Sequence, residues 1–177
     1  MNSHKTHTRK HYFIYSILTI LFIGGIILTV LEINIYRQTL ISWTIVTAVW
    51  LSSGLIATFF TSNLLTKHYE TKGLFLKVVY NTAAFGGIVT YGFMALNFYF
   101  PSDYQAIVRT EIIKTGRLAK GRGGCGNPYA GVVLKGRPKE LVFPCDYELD
   151  KYRYVKLSVK KGLLGFEIIG DIQLVEG

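Results

Sequence analysis

Histidine is scarce and badly placed for chemistry: the four residues are His4, His7, His11 and His68, so nothing after residue 68 carries an imidazole. The commonest general base is therefore missing from residues 101–177, the only part that reads as a water-exposed domain. Cysteine is limited to Cys125 and Cys145, which do not form a C-x-x-C pair and have no adjoining base, so redox catalysis is not expected. There is no H-E-x-x-H, no G-x-S-x-G and no P-loop. Among the domain's carboxylates, Glu111, Glu140, Asp146, Glu148, Asp150, Glu167 and Asp171 show no spacing that singles out a catalytic pair. No catalytic, cofactor-binding or metal-binding residue is assigned, and the chain is not expected to be an enzyme.

Charge is the second scarcity. Before residue 101 the only acids are Glu32 and Glu70, against seven Lys and Arg; the remainder carries thirteen Lys and Arg and nine acids. The net charge of +9 would ordinarily raise nucleic acid as a partner. Lysines and arginines flanking membrane helices explain much of the excess, and no nucleic-acid role is expected.

What the sequence does have is three long uncharged runs: His11–Leu31, Gln38–Thr66 and Val78–Ser102. Each exceeds the roughly 20 apolar residues needed to cross a bilayer as a helix. Aromatic side chains sit near their ends (Tyr12, Tyr15, Tyr36, Trp43, Tyr99, Phe100), where amphipathic rings favour the interface. The expected organisation is a basic tail over 1–11, an all-α bundle of three transmembrane helices over 12–100 (spans about 12–35, 40–66 and 75–100), and a β-domain over 101–177. The first run is read as an uncleaved anchor, because LEINIYRQ offers no small-residue cleavage site.

Loop charges set the orientation. Lys5, Arg9 and Lys10 in the tail and Lys67, Lys72 and Lys77 in the second loop outweigh Arg37 in the first. The positive-inside rule puts the N-terminus in the cytoplasm and the C-terminal domain outside the cytoplasmic membrane. Within the runs no charge falls at mid-membrane depth and no internal repeat appears, which argues against a pump or secondary transporter. Ala83, Gly86 and Gly87 form a small-residue face that permits close helix approach, either inside the bundle or against a protein partner or second copy.

After the third run, Pro101 ends the helix and Pro101-Ser102-Asp103 reads as a linker. Five strand-like runs follow: Gln105–Thr115, Tyr129–Lys135, Lys139–Pro144, Tyr152–Lys160 and Phe166–Val175. They predict a small five-stranded antiparallel barrel or sandwich. Pro138 cannot donate to close a two-residue hairpin, so a loop of about three or four residues is expected, pairing Lys135 with Lys139 or Glu140. Counting outward puts Tyr129 opposite Cys145 or Asp146, with Cys125 just beyond the same open end. That proximity predicts a Cys125–Cys145 disulfide, in keeping with an oxidising compartment. Closing a loop of about 20 residues contributes roughly 3 kcal/mol by chain entropy.

Two patterns invite functional readings. Gly121–Gly126 matches G-x-G-x-x-G, but Asn127-Pro128 and a β-run follow where a helix N-terminus is required, so dinucleotide binding is rejected for a surface loop. The same loop offers Lys120, Arg122, Gly123 and Gly124 as candidate anion-binding residues, with Arg117, Arg137 and Lys139 as neighbours that can join. His4, His7 and His11 are spaced for a metal but lie in a tail without further ligands, and a solvated topogenic tail is preferred. The loop Lys160–Phe166 reads as a turn between core residues, or as a tip presenting Leu163, Leu164 and Phe166 to a membrane or partner. The leading expectation is an integral membrane protein with a structural or interaction role, as an accessory subunit of an envelope complex. A membrane-tethered module for an anionic ligand comes second, such as a lipid head group or cell-wall polymer, and an envelope enzyme third.

Overall fold

The computed structural model describes residues 3–70, 73–119, 124 and 126–176, and of residues 3–11 the backbone alone. The helices come first: α1 (Ser3–Gln38), α2 (Trp43–Tyr69), then α3 (Leu74–Asn81) and α4 (Gly87–Tyr99) joined without a break by a π-helical turn over Thr82–Gly86. None contains proline, since all four prolines follow residue 100, so no backbone donor is lost along their length. Three segments, Tyr12–Gln38, Trp43–Tyr69 and Leu74–Tyr99, are long and apolar enough to cross a membrane. The first runs on past Glu32 and Arg37, where the uncharged run stops. Helix α2 starts at Ser42, whose hydroxyl accepts from the Thr44 amide at 3.4 Å, and ends at Glu70 in the left-handed region at φ 54°.

The sequence then forms a five-stranded antiparallel sheet: β1 (Pro101–Arg117), β2 (Pro128–Leu134), β3 (Arg137–Val142), β4 (Tyr152–Gly162) and β5 (Glu167–Glu176), in the order β3-β2-β1-β4-β5. A short 3-10 turn, Leu149–Lys151, precedes β4. The expected barrel or sandwich is thus one sheet with β3 and β5 as its two edges. Its organiser is the length of β1. Residues Pro101–Glu111 pair with β4, and Ile112–Arg117 pair with β2 beyond a register shift between Ile112 and Lys114. Residues of all five strands meet in or against one hydrophobic cluster, among them Val108, Val132, Leu141, Leu157 and Ile169, so both halves of the sheet share a core.

Two local expectations are corrected. Pro101 is the first residue of β1, paired with Gly162, so Pro101-Ser102-Asp103 is strand rather than linker. The β2–β3 hairpin closes on Leu134↔Arg137, with Lys135 (φ 51°) and Gly136 (φ 77°) as a two-residue turn. Positive φ at both central positions matches the right-handed twist of the strands. Pro138 is tolerated opposite Val133 because β3 is an edge strand. Tyr129 consequently faces Val142, not Cys145 or Asp146.

The chain divides into two compact units, Met1–Asn34 with Ser42–Ala95, and Ile35–Ile41 with Leu96–Gly177. The second therefore holds, besides the sheet, the end of α1, the α1–α2 connection and the end of α4.

Candidate functional site

Within the sheet-bearing unit, the α1–α2 connection is a working part of the β-domain. Thr39 forms an isolated antiparallel bridge with Ile168, and the Leu40 amide donates to the Glu167 carbonyl at 2.7 Å. This places one extended segment against the outer edge of β5. Leu40 itself belongs to the hydrophobic core, only 6% exposed. A four-residue link between long helices, Thr39–Ser42, would normally be a surface loop; here its apolar residues Leu40 and Ile41 are both buried.

Strand β3 secures the same segment with two cations. Arg137 Nη1 donates to the Leu40 carbonyl at 2.6 Å, and Lys139 Nζ donates to the Tyr36 carbonyl at 3.0 Å. The Lys139 ammonium also lies 4.4 Å from the centre of the Tyr36 ring. The Tyr36 carbonyl, in the last turn of α1, also accepts from the Thr39 amide at 3.2 Å and lies at the negative end of the helix dipole, where a cation is favoured. Burial, with the Arg137 guanidinium beside it, holds the Lys139 pKa below its ordinary 10.5. A lysine depressed in the folded state binds fewer protons there than in the unfolded chain, so its handicap to folding is relieved as pH rises toward 10.5. In a pH series of unfolding midpoints, wild type should gain on Lys139→Met through that alkaline window and hold a constant offset below it.

The end of α4 is tied in by Asn97. Its side-chain oxygen accepts from the Leu164 amide at 3.1 Å, and its amide nitrogen donates to the Phe166 carbonyl at 3.2 Å. A wholly buried asparagine is thereby satisfied on both sides. The β4–β5 turn held this way leaves Leu163 and Leu164 exposed.

In the helical unit, the small-residue face is occupied by the chain's own helices. A Cβ on Gly25 would overlap the Ala83 and Ala84 carbonyls, and one on Gly87 would overlap the Gly25 carbonyl and Thr29 hydroxyl. Gly86 packs on Trp50, where an added Cβ would sit 2.8 Å from the Trp50 carbonyl oxygen. A Cβ added at Gly24 or Gly92 would meet nothing within 4 Å among the described residues. Threonines along these helices bond back to the carbonyl four residues earlier, as Thr29, Thr58 and Thr90 do at 2.7–2.9 Å. Thr82, the first residue of the π-helical turn, does not: its buried hydroxyl has no hydrogen-bond partner among the described residues.

Of the residues picked out from sequence, Lys120, Arg122, Gly123 and Cys125 lie outside the described residues, and a Cβ added at Gly124 would meet nothing within 4 Å among the described residues. Of the candidate anion-binding residues only Gly124 is therefore described; of the three possible neighbours, Arg117 ends β1, while Arg137 and Lys139 donate to the Leu40 and Tyr36 carbonyls. Cys145 lies just past β3, and the expected Cys125–Cys145 bridge rests on a residue outside the described ones. The α1–α2 connection was missed as a site because nothing local marks it. Its only signal was apolar Leu40-Ile41 where a solvated loop was expected. No known family, curated protein or solved structure matches this chain.

Proposed function

We propose that this chain is an integral protein of the cytoplasmic membrane that displays its β-domain outside, N-terminus inside, as an accessory subunit of an envelope complex. One observation carries the reading: the α1–α2 connection is built into the β-domain through Thr39, Leu40, Arg137 and Lys139. Three crossings put that connection and the C-terminal domain on the same side of a membrane, and two crossings would separate them. The joint contact and the three apolar helices thus support one topology. The charges of Lys67, Lys72 and Lys77 against Arg37 then favour the outside for that side. A domain fastened at several points to the ends of its anchoring helices suits a fixed docking platform better than a free tethered module.

The Cys125–Cys145 disulfide belongs to the same proposal. Cys145 Sγ lies 3.1 Å from Asn127 Oδ1, two residues from Cys125 in sequence. The Phe143 amide, meanwhile, bonds to the Pro128 carbonyl at 2.9 Å. Asn127 and Cys145 therefore lie side by side at the open end of the hairpin. Partner contact through the membrane would use Gly24 or Gly92, since Gly86 and Gly87 are already covered; on the sheet, Ile107 and Ile113 of β1 are exposed.

Purification in mild detergent after cross-linking in cells should return a stable stoichiometric partner or a homo-oligomer. A clean monomer would overturn the subunit reading. An impermeant thiol reagent applied to reduced, intact cells should label both cysteines, and labelling only after lysis would reverse the orientation.

A further inference from the structure

The β2–β3 turn, the β4–β5 turn and the α1–α2 connection surround a cleft of about 430 Å³, within the roughly 300–1,000 Å³ range of small-ligand sites. Its charged lining is Lys135, Arg137, Lys161 and Glu167, with Leu40 and Gly165 among the remaining walls. Three cations face one carboxylate. Lys135 is paired to Glu167, which neutralises that acid. Arg137 spends one of its donors on the Leu40 carbonyl and keeps the rest of its fork. Lys161 has no ion-pair partner among the described residues. Lys135 lies in the β2–β3 turn, while Arg137 and Lys161 are paired strand residues opposite Leu134 and Glu167, so two of the three cations sit on hydrogen-bonded sheet.

The position of the cleft adds to its chemistry. Leu40 follows Gln38, the last residue of the first apolar helix, by two residues. The β4–β5 turn is held by Asn97 in the last turn of α4 and exposes Leu163 and Leu164 beside Lys161. On the membrane reading, chain segments that directly follow the ends of two spans would meet phospholipid phosphates. We propose that this cleft binds a phosphate oxyanion, the chemistry shared by an anionic phospholipid headgroup and by free phosphate. Its placement at headgroup depth rests on the membrane reading above; oxyanion binding by the three cations does not.

Glu167 distinguishes this site from a merely basic surface. As a carboxylate it competes with an incoming phosphate for Lys135, so Glu167→Gln should tighten binding a few-fold, while Lys135→Gln with Lys161→Gln should weaken it roughly tenfold. Neither variant touches the Arg137 or Lys139 bonds to the α1–α2 connection. The full chain in detergent would be titrated with phosphatidylglycerol, with phosphatidylcholine, and with inorganic phosphate alone. Bound lipid would be counted by native mass spectrometry and phosphate binding by calorimetry. Retention of phosphatidylglycerol over phosphatidylcholine with this variant order assigns the headgroup; phosphate binding with the same order assigns the free ion. No preference and no phosphate binding, or unchanged affinity in the folded double variant, overturns the proposal. Solubility of the chain without detergent would instead strike at the membrane reading, leaving the phosphate arm to be judged separately.

Discussion

Leu40→Ala is expected to lower the stability of the β-domain by about 3 kcal/mol, the usual scale for removing a buried leucine side chain from a packed core. The residue lies outside the contiguous domain sequence, more than fifty residues before β1 begins. If the connection were an ordinary surface loop, truncating it would change stability by no more than about 0.5 kcal/mol. Leu40 instead shares a cluster with Val155, Leu157 and Ile169, and its amide is bonded to Glu167. The loss would be read from the denaturant midpoint of the full chain in detergent, followed by amide exchange of β4. Leu40→Asp should prevent the domain from folding, because an unpaired carboxylate would be placed in the same core.

The second large effect lies among the helices. Gly87→Leu should destabilise the bundle by about 3 kcal/mol or more, since overpacking at a backbone contact cannot be relieved by a rotamer change. The atoms an added Cβ would meet are the Gly25 backbone carbonyl and the Thr29 hydroxyl, which itself donates to the Gly25 carbonyl. Gly92→Leu is the matched control, in open space on the same helix, and should be tolerated. Comparing the two in a thermal melt of the detergent-solubilised chain separates close packing from general glycine replacement. Equal behaviour would mean that the small residues are not there for packing within this chain.

Much of the architecture was legible in the residues. The three apolar runs marked helices, and the five strand-like segments fell on β1–β5 because β-branched alternation such as Val155, Leu157 and Val159 against Tyr154, Lys156 and Ser158 carries its own period. Turn closure was less legible. Lys135 adopts φ 51°, a conformation that its side chain does not advertise, and this moved the β2–β3 register away from the cysteines. The length of β1 was hidden by Pro101, which ends one element and begins the next.

The site was hardest to read because it joins distant pieces of sequence. In the sequence Arg137 and Lys139 read only as cations near the glycine-rich loop. Their partners are the carbonyls of Leu40 and Tyr36, and backbone carbonyls leave no mark on a sequence. The π-helical turn at Thr82–Gly86 was equally silent, arising where Gly54 and Trp50 of α2 press against it.

Amide hydrogen exchange at Leu40 in the intact, purified chain tests the central claim most directly. Built into the edge of β5, that amide should exchange as slowly as those of Val155 and Leu157 in the middle of the sheet, and should speed up together with them in denaturant. Exchange at the rate of an open loop, while β4 stays protected, would contradict the joining of the α1–α2 connection to the β-domain.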